Sequence, residues 1–379
     1  MQEVSHSQTF DRHELLRGVR SVVVKIGTNA LSDASGHLDT RLIAHFAEQV
    51  GALAAKKVQV TMVSSGAIGA GVTELGLTGR PKDLPMLQAT ASVGQSILMR
   101  HFAEGFKPHG LHVGQILITR GDFEDRVRYL NLRNCIESLH RAKCVPVINE
   151  NDSVAVAEIR FGDNDLIAAE VTNLLGADLL ILLSVVDGVL DEAGKTIPVV
   201  QDMEDATGHV DDNKKSSRGT GGMGSKLVAA GTVKTAGKPV MIANGKRRNV
   251  IADLLDGVET GTLIVPAKRK MSSRSRWIGL TARAKGKMVV DDGAVKALRA
   301  NKSLLAMGIV GVAGDFDSGD VVQITNKAGE TIARGVSNYS HAEVELIKGH
   351  KSAEFGRLLK VDTYWDEVIH RDDLVVEAA

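Results

Sequence analysis

The chemistry-bearing residues crowd into one segment, PVINENDSVAVAEIRFGDNDLIAAE, where Asn149, Asp152, Asp163, Asn164 and Asp165 fall within residues 146 to 170. Carboxylates and amides at that density suit the ammonium group of a free amino acid, which donates in several directions at once. A plainer reading makes Asp163 and Asn164 helix-capping residues and the rest a solvated loop. A second cluster, RGTGGMGSK at residues 218 to 226, sets four glycines ahead of a helix-like run. Backbone N–H groups in such a loop, with the positive end of a following helix, form a cradle for phosphate. The loop matches G-x-G-x-x-G at Gly219, Gly221 and Gly224. No strand precedes it, however, and the next strand has no acid at its tip, so the dinucleotide reading fails. A P-loop would end Gly-Lys-Ser/Thr, whereas this one ends Gly224-Ser225-Lys226.

A third candidate is Lys25, inside the apolar stretch VVVKIG. A buried ammonium costs several kcal/mol unless it meets an anion. A phosphate would meet that need, and Gly27 lets a bulky anion approach without a Cβ in the way. The alternative is an edge-strand lysine whose head reaches water. No serine–histidine–acid set is evident, and none of the twelve histidines lies in the glycine or Asx motifs. That pattern fits a carboxylate nucleophile, which has a pKa of about 4.3, is ionised at neutral pH and needs no general base. It needs cations instead. Carboxylate and triphosphate repel, and two lysines with a magnesium ion carried on the nucleotide would offset the charge during phosphoryl transfer.

These residues need a scaffold that brings them together. Apolar runs at residues 22–26, 58–63, 113–118, 145–148, 179–183 and 239–243 read as strands. Uninterrupted runs such as LLILL mark strands covered on both faces, and stretches such as LIAHFAEQVGALAAKK supply the covering helices. The fold class is α/β, in layers, around a mainly parallel sheet. Ligands in such sheets bind at the carboxyl ends of the strands. There the chain places Gly27-Thr28-Asn29, Ser64-Ser65-Gly66, Asn149-Glu150-Asn151-Asp152 and Ser184, so four strand ends converge on one site.

At 379 residues the chain exceeds the usual size of a single core, which predicts two domains. Lys plus Arg equals Asp plus Glu at 46 each, so no overall charge draws the protein to nucleic acid or anionic lipid. The first twenty residues lack a secretion signal's apolar core, and no apolar run approaches the ~20 residues of a membrane span, so a cytoplasmic location is expected. Cys135 and Cys144 have neither metal-ligand spacing nor a CxxC pair and read as buried thiols. Residues 268 to 287 carry eight basic residues and no acidic one, followed by short β-like runs between glycine turns. The expected division is a catalytic domain at 1–267, a basic linker at 268–286, and a small, mostly β domain with a tail at 287–379.

The motifs VVVKIGT, VSSGAIGAG, GLHVGQILIT, VPVINENDSVA, FGDNDLIAA and GTGGMGSK resemble the glutamate 5-kinase branch of the amino-acid kinase family, over nearly the whole chain. The stretch from about 287 to 358 resembles a PUA domain. The resemblance implies a three-layer amino-acid kinase fold and ATP-dependent phosphorylation of the side-chain carboxylate of L-glutamate, with Mg2+. It implies that Lys25 and Lys226 contact the phosphates and that Asp165 holds both lysines. Ser65, Asp152 and Asn164 would bind glutamate, supported by Asn149 and Asp163. The nucleotide would lie along Lys25, Gly27, Ser184, Val185, Thr220, Gly221, Gly222, Met223, Gly224, Ser225 and Lys226. It further implies feedback by proline, homo-oligomers, and a place at the start of proline synthesis. One departure stands out: Val185 replaces the family's usual Asp, so either backbone groups or Asp187 must meet the nucleotide there. Two alternatives remain, a kinase for another acidic amino acid, and an RNA-binding regulator acting through the PUA-like domain.

Overall fold

The computed structural model describes residues 11–33, 37–154, 164–207, 222–268 and 271–377. It divides into two compact units: Met1–Asp122 with Val127–Lys270, and Phe123–Arg126 with Met271–Ala379.

In the larger unit, all six expected strands form: β1 (Ser21–Ile26), β2 (Gln59–Ser64), β3 (His112–Ile118), β4 (Cys144–Glu150), β5 (Leu179–Ser184) and β7 (Val240–Asn244). Two short strands that no apolar run announced, β6 (Val199–Val200) and β8 (Thr262–Ile264), complete an eight-stranded sheet of order β3-β4-β2-β1-β5-β7-β8-β6. Neighbours pair in parallel except β7 with β8. Residues Leu179 to Leu183 of β5 are completely buried, as a strand covered on both faces must be.

The helices are α1 (Arg12–Leu16), α2 (Thr40–Ala55), α3 (Ala67–Glu74), α4 (Leu84–Phe106), α5 (Gly121–Glu124), α6 (Arg126–Arg141), α7 (Asn164–Leu175), α8 (Met203–Thr207), α9 (Met223–Thr235) and α10 (Val250–Leu255). Val22, Val24 and Ile26 of β1 share one core with residues of α2, α4 and α10. Side chains alternate across a strand, so Lys25 faces the other side, where α7 packs on β1. That alternation makes three layers and puts Lys25 under a helix. Because β1 pairs with both β2 and β5, Lys25 is not an edge-strand residue.

Helices α3 and α4 meet backbone to backbone. A Cβ on Gly71 would lie 1.9 Å from the Thr90 carbonyl oxygen, and one on Gly94 would lie 1.8 Å from that of Ala67. Gly66 enters α3 at φ +110, a conformation that side chains resist. The glycines of SSGAIGAG therefore serve a close helix crossing as well as a turn.

The smaller unit holds a five-stranded sheet, β9 (Gly286–Val290), β10 (Ile309–Gly314), β11 (Val321–Thr325), β12 (Thr331–Val336) and β13 (Leu374–Val376), in the order β10-β9-β11-β12-β13. Met288, Val290, Val322, Ile324, Tyr339 and Phe355 lie in its core. Of the stretch read as a basic linker, the part from Met271 onward is folded into this unit. Trp277 and Ile278 are buried there, and the Trp277 indole donates to the Phe123 carbonyl at 3.1 Å. Two large apolar residues outweigh the surrounding basic ones.

The cysteines differ from expectation as well. Cys135 is exposed and Cys144 half-buried. On α6 the inward positions go to Tyr129 and Ile136, which leaves Cys135 facing outward.

Candidate active site

Three charged groups from three elements meet at the carboxyl end of the sheet. Lys25 of β1 places its Nζ 2.7 Å from Asp165 Oδ1, and Lys226 of α9 places its Nζ 2.9 Å from Asp165 Oδ2. Asp165 sits in the first turn of α7, where a carboxylate also gains from the helix dipole. Lys25, Lys226 and Asp165 are 4%, 5% and 0% exposed. Burial pushes the Asp165 carboxyl up, but the ammonium groups of Lys25 and then Lys226 outweigh it and hold the pKa below the ordinary carboxylate value. Two cations thus meet one anion in a place poor in water, where their charge acts strongly on an incoming phosphate.

Lys226 arrives differently from the sequence expectation. The helix begins at Met223, with Gly222 in extended conformation as its N-cap, so Met223, Gly224, Ser225 and Lys226 form the first turn of α9 rather than a loop before it. Ser225 Oγ donates to the Gly222 carbonyl at 3.0 Å and closes that turn. Thr220 and Gly221 lie outside the described residues, as does Asp163.

A chain of amides runs beside the charged trio. Asn164, the first residue of α7, donates from Nδ2 to Ser65 Oγ at 2.8 Å and to Asn149 Oδ1 at 3.0 Å. Asn149, at the end of β4, donates from its own Nδ2 to Gln95 Oε1 at 2.9 Å. Ser65, Asn149 and Asn164 are therefore brought together, and Asp152 is half-buried just beyond the end of β4. Gln95 was missed in the sequence. It lies on the buried stripe of α4 with Leu87, Ala91, Leu98 and Phe102, and a glutamine at such a core position was the available signal.

On the nucleotide side, the Gly27 N–H donates to the Leu183 carbonyl at 3.3 Å and so joins β1 to β5. A Cβ on Gly27 would stand 3.6 Å from Lys25 Nζ, beside the ammonium group. Ser184 ends β5, and its carbonyl accepts from the Gly245 N–H at 2.7 Å. Val185 is 41% exposed, while Asp187 accepts from Asn244 Nδ2 at 3.0 Å. The Asp187 carboxylate is thus tied to the end of β7.

Comparison with known proteins identifies the family. The profile of the amino acid kinase family matches residues 20–244, and that of the PUA domain matches residues 286–359. The chain is 43% identical to the glutamate 5-kinase of Caldanaerobacter subterraneus subsp. tengcongensis, over 94% of this chain and 97% of that protein. It is also 43% identical to the glutamate 5-kinase of Geobacter sulfurreducens, over 96% of this chain and all of that one. Among solved structures, the carbamate kinase of Giardia overlaps at a TM-score of 0.48 and 16% identity, covering 66% of this chain and 100% of that one.

Proposed function

Because the chain belongs to the amino acid kinase family, and within it to the glutamate 5-kinases, we propose that it moves the γ-phosphoryl group of ATP onto the side-chain carboxylate of L-glutamate, giving L-glutamyl 5-phosphate at the start of proline synthesis. The observation that carries the mechanism is the convergence of Lys25 and Lys226 on the two oxygens of Asp165. A glutamate oxygen attacks the γ-phosphorus, the bond to the bridging oxygen breaks, and ADP leaves with the electron pair. Lys25 and Lys226 stabilise the negative charge on the transferring group, and Asp165 keeps both ammonium groups in position. No side chain has to remove a proton, because the nucleophile is already ionised.

Both Asp165 oxygens face ammonium groups, so this carboxylate is committed to the lysines rather than to a metal. That donor set fits a magnesium ion brought in on the nucleotide and held by its phosphates, where it would neutralise part of their charge. Ser65, Asn164 and Asp152 hold the amino-acid end of glutamate, supported by Asn149 and Asp163. Gly27, Ser184, Val185 and the segment Thr220 to Lys226 line the nucleotide. Proline feedback and homo-oligomers follow from the family resemblance, and a cytoplasmic location from the sequence. No helix among the described residues is long and apolar enough to cross a membrane. The RNA reading loses its stacking platform in the basic stretch, since Trp277 is buried.

The test is ADP release from Mg-ATP with glutamate, aspartate, N-acetylglutamate or no acceptor, with hydroxylamine present to trap acyl phosphate. Glutamate-dependent ADP with matching hydroxamate is expected. Turnover with another acid and none with glutamate would overturn the substrate assignment.

A further inference from the structure

Gln95 has no part in the mechanism above, yet its side chain ends the amide chain at the site and is 7% exposed. The direction of that chain follows from the backbone. The Glu150 N–H donates to Asn149 Oδ1 at 2.9 Å, and Asn164 Nδ2 donates to the Ser64 carbonyl at 3.3 Å. A backbone N–H only donates and a backbone carbonyl only accepts, so both asparagine amides have a single orientation. Asn149 must then point its Nδ2 at Gln95, and Gln95 must answer with oxygen. Its amino group is left facing away. Gln95 Nε2 is screened from solvent and has no hydrogen-bond partner among the described residues; the same holds for Asn164 Oδ1 at the other end. Gln95 and Asp152 line one cavity of about 190 Å³, together with Gln115 and Ser153.

A buried donor without a partner is costly and rare, and a site that keeps one offers it to a ligand. We propose that Gln95 is a specificity-determining residue that donates from Nε2 to the α-carboxylate of the substrate. The inference rests on the glutamate reading of the site. Asp152 lines the same cavity, and its carboxylate suits the α-ammonium. A donor and an anion on residues that line one cavity complement a zwitterionic head group, and they discriminate against an amino acid whose α-carboxylate is masked. Gly94 makes the arrangement available, because it brings α4 against α3 one residue before Gln95.

The experiment is steady-state kinetics of the full-length protein with L-glutamate and with its α-amide, which keeps the ammonium group and the side-chain carboxylate. Gln95→Glu retains an oxygen for Asn149 but replaces the donor with an acceptor. The expected result is a glutamate KM raised roughly ten- to hundredfold, an unchanged KM for ATP, and a matching fall in the preference for glutamate over the α-amide. An unchanged preference overturns the proposal, whether both substrates suffer equally or neither does, because a purely structural role would treat them alike. If Gln95→Glu does not fold, Gln95→Met removes the donor at similar volume, and the same preference must fall. A wild-type protein inactive on glutamate would refute the underlying substrate reading as well, which the wild-type arm separates from failure of Gln95 alone.

Discussion

Asp165 holds two functions in one side chain, because it neutralises buried charge and aims both lysines. Asp165→Asn keeps the shape but leaves two ammonium groups sharing a neutral amide. Breaking a buried ion pair by removing one partner costs about 3–5 kcal/mol, so urea unfolding should show a loss of that order. The same variant should lower kcat about a hundredfold or more, with a smaller effect on the glutamate KM, since the lysines act chiefly as charge moves. The pH dependence follows from the direction of the pKa shift. The Asp165 carboxyl lies below its ordinary value. Its contribution to stability is therefore complete above the unfolded-state pKa of about 3.9, and is lost as pH falls through the lower folded-state value. The variant should lack that acid-side loss, which thermal unfolding between neutral and acid pH would reveal.

At the scale of elements, the site depends on how closely α4 approaches α3. Their crossing sets Gln95 against Asn149, while Gly66 and Ser65 lead into α3. Gly94→Ala drives a methyl group into the Ala67 carbonyl, and backbone cannot yield as a side-chain tip does. The cost should reach or exceed the upper end of the ~1–3 kcal/mol typical of overpacking. The glutamate KM should rise with it. Gly105→Ala on the same helix is the control, because its Cβ would find only side-chain and backbone neighbours at 3.4 Å and beyond. If both variants show equal melting temperatures and kinetics, the close crossing does not position the site.

For the whole molecule, the two units carry separate cores, and all the groups assigned to phosphoryl transfer lie in the larger one. A chain ended after residue 270 should keep glutamate-dependent turnover, although Phe123 would lose the indole partner that its carbonyl now meets. Ending it near residue 280 instead would retain Trp277 and Ile278 without the sheet that buries them, and should yield less soluble protein. Complete loss of turnover in a folded 1–270 chain would show that the smaller unit contributes to catalysis.

The six main strands, the layered α/β class and the convergence of strand ends were legible because burial on both faces writes itself as unbroken apolar runs. Lys25 was legible for a related reason, since charge at a buried position is costly and calls for a partner, whereas Asp165 stood out as part of a dense carboxylate and amide cluster. The partners themselves were decided by tertiary structure. Nothing local joins Lys25 to an aspartate 140 residues away, or shows that α9 begins at Met223 and carries Lys226 inward on its first turn. Strands β6 and β8 are too short to show a period, and Cys135 needed the facing of α6 to be placed. Gln95 is the clearest case. Its residue type and its place on a core stripe were visible, but the direction of its amide depends on backbone groups of Glu150 and Ser64, which only the folded chain brings together.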